Sequence, residues 1–94
     1  MRFDRKVIEV GEKNTLCISL PSIIVVAYNI HRKDIITLRI HKKTAYIEFT
    51  NKVYRTAKIL RITIPRATVI KNSIKPNIIY VFEFVKNYRE GVNK

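Results

Sequence analysis

Leu16-Cys17-Ile18-Ser19-Leu20-Pro21 and Leu60-Arg61-Ile62-Thr63-Ile64-Pro65 are the two stretches that decide the fold. Each is a short alternating run closed by proline. Alternation puts Leu16, Ile18 and Leu20 on one side of an extended chain, with Leu60, Ile62 and Ile64 their counterparts. Proline has no N–H to give to a ladder, so Pro21 and Pro65 each end a strand. Sliding the chain by 44 residues superposes the two runs and also brings Val25 onto Val69, Ile30 onto Ile74 and Ile35 onto Ile79. That makes six identities over the 27 positions from Asn14 to Ile40. In a chain with 16 isoleucines, identity counts for less than order. Strand, proline, helix, turn and strand recur in sequence, and self-similarity at a fixed period governs the fold expectation.

Working outward, Lys6 to Val10 is β-branched and stops at Gly11, and Gly11-Glu12-Lys13-Asn14 is turn chemistry, so the chain opens on a hairpin with Leu16–Leu20 as its second strand. Ser22 is a candidate helix N-cap. The stretch Ile23 to Ile30 is β-branched, which suits a strand, but it lies between Pro-Ser and the polar His31-Arg32-Lys33-Asp34, which suits a short helix; a helix is expected. Ile35 to Ile40 is then a strand, His41-Lys42-Lys43 a turn, and Thr44 to Phe49 the hairpin partner. The second half expects a compressed opening strand at Lys52 to Thr56, a strand from Lys58 to Ile64, a helix from Arg66 to Ile74, a turn at Lys75-Pro76-Asn77 and a strand from Ile78 to Phe84. The polar tail from Lys86 to Lys94 is expected to be loose at its end. The expectation is one pseudo-symmetric domain over residues 1–94, with repeat one at 5–49, repeat two at 52–85 and a basic tail at 86–94.

Charge sets the functional expectation. Nineteen Lys and Arg face seven Asp and Glu, a net +12 on 94 residues, of which 47% are hydrophobic. A core is affordable, but so much positive charge repels itself unless a polyanion is bound. No apolar run is long enough to span a membrane, and the N-terminus carries no signal-peptide pattern, so a cytoplasmic protein without a membrane partner is expected. The lone Cys17, in an apolar alternation, reads as a small buried side chain. One cysteine and two histidines lack zinc-ligand spacing, no nucleophile–base set occurs at short range, and glycine is too scarce for a phosphate loop. Neither an enzyme nor a metal or other cofactor is expected.

The run Arg5-Lys6-Val7 with Gly11, then Ile18-x-Leu20-Pro21, then Ile30 with Lys33-Asp34, resembles the AbrB-like swapped-hairpin family, which includes bacterial transition-state regulators, MazE-type antitoxins and small archaeal DNA-binding proteins. Ile62-Thr63-Ile64-Pro65 followed by Ile74-Lys75-Pro76-Asn77 fits the same frame, so the likeness covers two copies. Asn29 and Lys33 stand where the family pattern has glycine, and Ile78 where a second Asp would be. Helix positions that are basic in some members are Val25, Val26, Val69 and Ile70, so no arginine contact is carried over there. The family works as a dimer of interleaved halves. The resemblance therefore implies an α+β, β-rich, tandem swapped-hairpin β-barrel with two short helices, as a single-chain pseudo-dimer or a homodimer exchanging hairpins.

The candidate DNA-binding residues are Arg5, Lys6 and Lys13 in the first copy and Arg55, Lys58, Arg61 and Arg66 in the second. Twofold placement would bring them to one face of the molecule. Arg bridges phosphates or guanine edges with parallel hydrogen bonds, whereas Lys acts as a point charge. A solvated charged face is the plain alternative for each. Arg61, set in an apolar alternation, points opposite to Leu60 and Ile62. Arg32, Lys33, Lys42 and Lys43 form a second basic group around His31 and His41: an extension of the DNA footprint, an RNA contact or a solvated turn. The five tyrosines read as packing rather than a base-stacking platform. The expected function is a weakly sequence-specific transcriptional regulator that binds double-stranded DNA. An antitoxin-like module binding a protein through the tail from Lys86, and an RNA-binding or architectural chromatin protein, are the alternatives.

Overall fold

Proline and alternation act locally as expected. The structure, a computed structural model, describes residues 1–11 and 15–89. Its strands are β1 (Arg2–Lys6), β2 (Ile8–Val10), β3 (Thr15–Ser19), β4 (Ile35–Lys42), β5 (Ala45–Thr56), β6 (Ile59–Thr63) and β7 (Ile79–Tyr88), with helices α1 (Ser22–Ala27) and α2 (Arg66–Asn72). Pro21 and Pro65 are the helix N-caps, and their carbonyls accept the N–H groups of Val25 and Val69, both at 3.0 Å. Ser22 is the first helical residue rather than the cap: proline's fixed φ, with extended ψ, already directs the chain into the turn.

All pairings are antiparallel, in the order β1-β7-β4-β5-β6-β3-β2. The edge strands β1 and β2 are separated in sequence by Val7 alone, so the sheet must curl into a half-barrel to bring its two ends together. β5 bridges the same two halves in the middle of the sheet, pairing β4 through residue 52 and β6 from residue 53. Inside lie Leu16, Ile18, Ile36, Leu38, Ile40, Phe49, Val53, Ile62, Ile64 and Phe82, a continuous aliphatic core with few rings. The result is a small β-rich α+β fold.

Residues 44 apart recur at matching places, and so do Val7 and Val53, 46 apart. Ile18 pairs with Ile62 at the centre of β3–β6, and Arg39 with Glu83 in β4–β7. Leu20 N donates to Leu60 O at 2.8 Å and Ile64 N to Leu16 O at 2.9 Å. Val7 N bonds Ile78 O at 3.0 Å while Val53 N bonds Asp34 O at 2.7 Å. Asn77 N bonds Val7 O and Lys33 N bonds Val53 O, both at 2.7 Å. Left-handed backbone recurs in the same way: Asn29 and Ser73 have φ of 51° and 53°, and Lys33 and Asn77 have 73° and 67°.

Three expectations are corrected. The strand placed at Lys6–Val10 is β2, which begins at Ile8, and a separate strand, β1, precedes it from Arg2, its charged residues Arg2, Asp4 and Lys6 facing water while Phe3 turns inward and stacks on Phe82. The strands placed at 44–49 and 52–56 are one, β5, since Thr50 and Asn51 have internal partners: the Thr50 hydroxyl meets Thr37 Oγ1 at 2.7 Å and Asn51 Nδ2 donates to Thr63 O at 2.8 Å. Lys86, Asn87 and Tyr88, placed in the tail, belong to β7, and Arg89 is anchored beyond them; the tail's end at 90–94, expected to be loose, lies outside the described residues. Among the described residues, no helix is long and apolar enough to cross a membrane.

Candidate nucleic-acid interface

The anchor at the end of β7 shows where the scarce acids go. Asp34 is fully buried. Its carboxylate accepts from His31 N at 2.8 Å, Asn87 Nδ2 at 3.2 Å, Arg89 Nε at 2.8 Å and Arg89 Nη2 at 3.0 Å. Burial alone would raise its pKa; the Arg89, His31 and Asn87 hydrogen bonds together outweigh burial and hold the carboxyl below the ordinary Asp value. The same contact raises the Arg89 pKa. On the outer face of β4, β5 and β7, Glu83 Oε1 accepts from His41 Nε2 at 2.7 Å, with Arg2 and Arg39 each 3.9 Å away, and its pKa is lowered chiefly by the His41 bond. Arg39 Nε donates to Glu48 at 2.7 Å, which raises the Arg39 pKa, and its guanidinium lies 4.4 Å over the Tyr46 ring. These faces carry compensated charge.

Part of the uncompensated charge gathers elsewhere. A cleft of about 630 Å³ opens between α1, the loop after it and the β5–β6 hairpin. Arg5 enters from β1, Arg55 from the end of β5, Lys58 from the hairpin turn, and His31 and Arg32 from the α1–β4 loop, above Leu20, Val25, Ile30, Ile59 and Leu60. Among the described residues no carboxylate lines it, and no ion pair holds Arg32, Arg55 or Lys58. Four cations, Arg5, Arg32, Arg55 and Lys58, thus converge on one concave site, which focuses a positive potential there.

The expected set of basic residues does not share one face. Arg5, Arg55 and Lys58 line the cleft, and Arg32 joins them from the second basic group. Lys6, at the end of β1, and Arg66, the first residue of α2, are exposed outside it. Lys13 lies outside the described residues. Arg61 projects from the side of β6 opposite Leu60, where its Nη1 lies 3.9 Å from the Sγ of buried Cys17. Its Nε is buried without a hydrogen-bond partner among the described residues. Nearby Tyr54 has its pKa raised by burial first and by Cys17 second. Arg61 is therefore a packed side chain rather than a presented one. Arg5 is half-buried and spends its Nε on Ser19 O at 3.0 Å, the same service that Asn51 gives Thr63 O, 44 residues on from Ser19. Lys42 caps α2 through Asn72 O at 2.6 Å. Arg55 also spends its Nε on a carbonyl, that of Ala57 at 3.1 Å, but its side chain is exposed, so the cleft's cationic rim is Arg32, Arg55 and Lys58. Net charge signalled such a rim, but only tertiary folding could place Arg32 beside the other two.

Among the described residues, the other copy does not repeat this site. Glu9 lies opposite Leu16 as Arg55 lies opposite Leu60, and Pro76 stands 44 residues after Arg32. Among the described residues, no group of His, Cys, Asp and Glu is placed to hold a metal ion.

No protein-family model matches the chain, and no curated protein matches it. The chain is similar to a solved structure, the solution structure of PHS018 from Pyrococcus horikoshii, at a TM-score of 0.71 and 22% identity, over 94% of this chain and 91% of that one. At that identity the likeness establishes the fold alone.

Proposed function

We propose that this chain is a DNA-binding protein of weak sequence specificity, a regulator rather than a catalyst, which holds phosphates through Arg32, Arg55 and Lys58. The observation that carries this is the convergence of those cations, from a loop, a strand end and a hairpin turn, on one cleft lined by no described carboxylate in a chain of net charge +12. Phosphate contacts of this kind give affinity and register, with little base readout. We read the architecture as two interleaved AbrB-like halves in one chain. Supporting it are the matched hydrogen bonds at a spacing of 44 residues, and the positive φ at Asn29 and Lys33, where the family pattern has glycine. Duplex binding followed by fluorescence anisotropy at several salt concentrations tests the function. Each phosphate contact contributes about 0.9 to the slope of log affinity against log salt, so Arg55→Gln/Lys58→Gln lowers the slope by about 1.8. An unchanged slope overturns the assignment of these residues.

A second reading has its own observation. Ile23 and Val26 on α1 and Ile70 on α2 are 66%, 79% and 67% exposed. Bare apolar helix faces suit a protein partner, as in the antitoxin-like alternative. Co-purification that is lost on Val26→Ser would favour it.

A further inference from the structure

Resting on the nucleic-acid reading of the same cleft, we infer that its preferred ligand is a strand with an unpaired nucleotide, whose base lies on the apolar floor while its flanking phosphates meet the rim. A continuous duplex presents phosphates on a convex cylinder and keeps its bases stacked inside. For that ligand a flat cationic surface suffices and a concave apolar floor is unused. Here the cations surround a hollow of about 630 Å³ floored by Leu20, Val25, Ile30, Ile59 and Leu60. That volume falls in the range of small-ligand pockets, about 300–1,000 Å³, and admits a base with its sugar. The face of any base is apolar and its flanks are anionic, which is the complement of this floor and rim. The floor holds no aromatic ring, so the base rests on aliphatic carbon and its identity is weakly read. Glu9 and Pro76 stand in the other copy where Arg55 and Arg32 stand here, so the described residues form one such nucleotide site.

The test is a competition series by fluorescence anisotropy on the full chain. The probes share one sequence: a fully paired DNA duplex, the duplex with one bulged nucleotide, the same bulge made abasic, and the single strand as DNA and as RNA. The bulged duplex should bind about tenfold tighter than the paired one, the gain from burying about 55 Å² of base face against aliphatic carbon, and the abasic bulge should lose that gain. Ile59→Ser, at a side chain already 43% exposed, should erase the preference for the bulge, read as the ratio of bulged-duplex to paired-duplex affinity. Tighter binding of the RNA strand than of the DNA strand assigns the natural source to RNA; the reverse assigns it to DNA. Equal binding of paired and bulged duplexes overturns the inference and leaves the phosphate-binding rim standing. Failure of every probe to bind at low salt overturns both.

Discussion

Replacing Asp34 with Asn keeps the side chain's shape and removes its charge. The wild-type carboxylate is fully buried and accepts four hydrogen bonds, from His31 N, Asn87 Nδ2 and two nitrogens of Arg89. An amide offers one acceptor oxygen and turns an NH2 group toward donors, so at least one contact becomes donor against donor. Hydrogen bonds to a charged group are worth about 1.5–3 kcal/mol each, and breaking a buried ion pair costs about 3–5 kcal/mol. The Arg89 side chain is 29% exposed, so water takes up part of its lost partner. The expected net cost is about 2 kcal/mol, a large fraction of a stability of about 5–15 kcal/mol. Because the folded carboxyl titrates below the unfolded one, the unfolded state binds more protons in acid. The stabilisation is complete above the unfolded Asp value and is lost as pH falls through the folded one. Asp34→Asn should therefore lower stability at neutral pH and flatten the acid limb of the stability–pH curve. Equilibrium urea unfolding followed by circular dichroism from neutral pH into acid measures both. A cost below about 0.5 kcal/mol at neutral pH, the range of an inert surface change, would refute the role assigned to this contact.

Other outcomes follow from single residues. Phe82→Ala empties a site that is 0% exposed and stacked on Phe3, and should cost about 3–5 kcal/mol by denaturant unfolding. Lys33→Gly relieves a side chain held at φ 73° while keeping the backbone N–H bond to Val53 O. Left-handed strain of about 1 kcal/mol is offset in part by glycine's entropy, so the thermal midpoint should rise by about 2–4 °C. Cys17, fully buried, should react with a thiol reagent only at the rate at which the domain opens, and should react freely in denaturant.

Most of the secondary structure was legible because the local signals are strong. Pro21 and Pro65 end strands and start helices whatever surrounds them, and the alternation in Leu16–Leu20 and Leu60–Ile64 needs only one buried face. What could not be read depended on distant partners. Thr50 and Asn51 look like a break in β5, but Thr37 and the Thr63 carbonyl satisfy them across the sheet. Lys86 to Arg89 look like a solvated tail until Asp34, more than 50 residues away, is seen to hold Arg89 and Asn87. The candidate site divides the same way. Charge and turn chemistry marked Arg55 and Lys58. Nothing local separated them from Arg5 and Arg61, whose guanidinium groups turn to Ser19 and Cys17. The grouping of Arg32 with the hairpin was equally hidden, because it depends on how α1 and its loop pack across the sheet end.

The most direct test of the cleft as the nucleic-acid face is a chemical-shift map. The 11.1 kDa chain suits a 15N-labelled titration with short duplex DNA at low salt. Backbone amides of Ser22, Ile30, Arg32, Arg55, Lys58 and Leu60 should shift together and saturate together, while those of Cys17, Arg61, Glu48 and Glu83 stay in place. Shifts centred on the outer face of β4 and β7, or on Arg61 and Cys17, with the cleft amides unmoved, would contradict it.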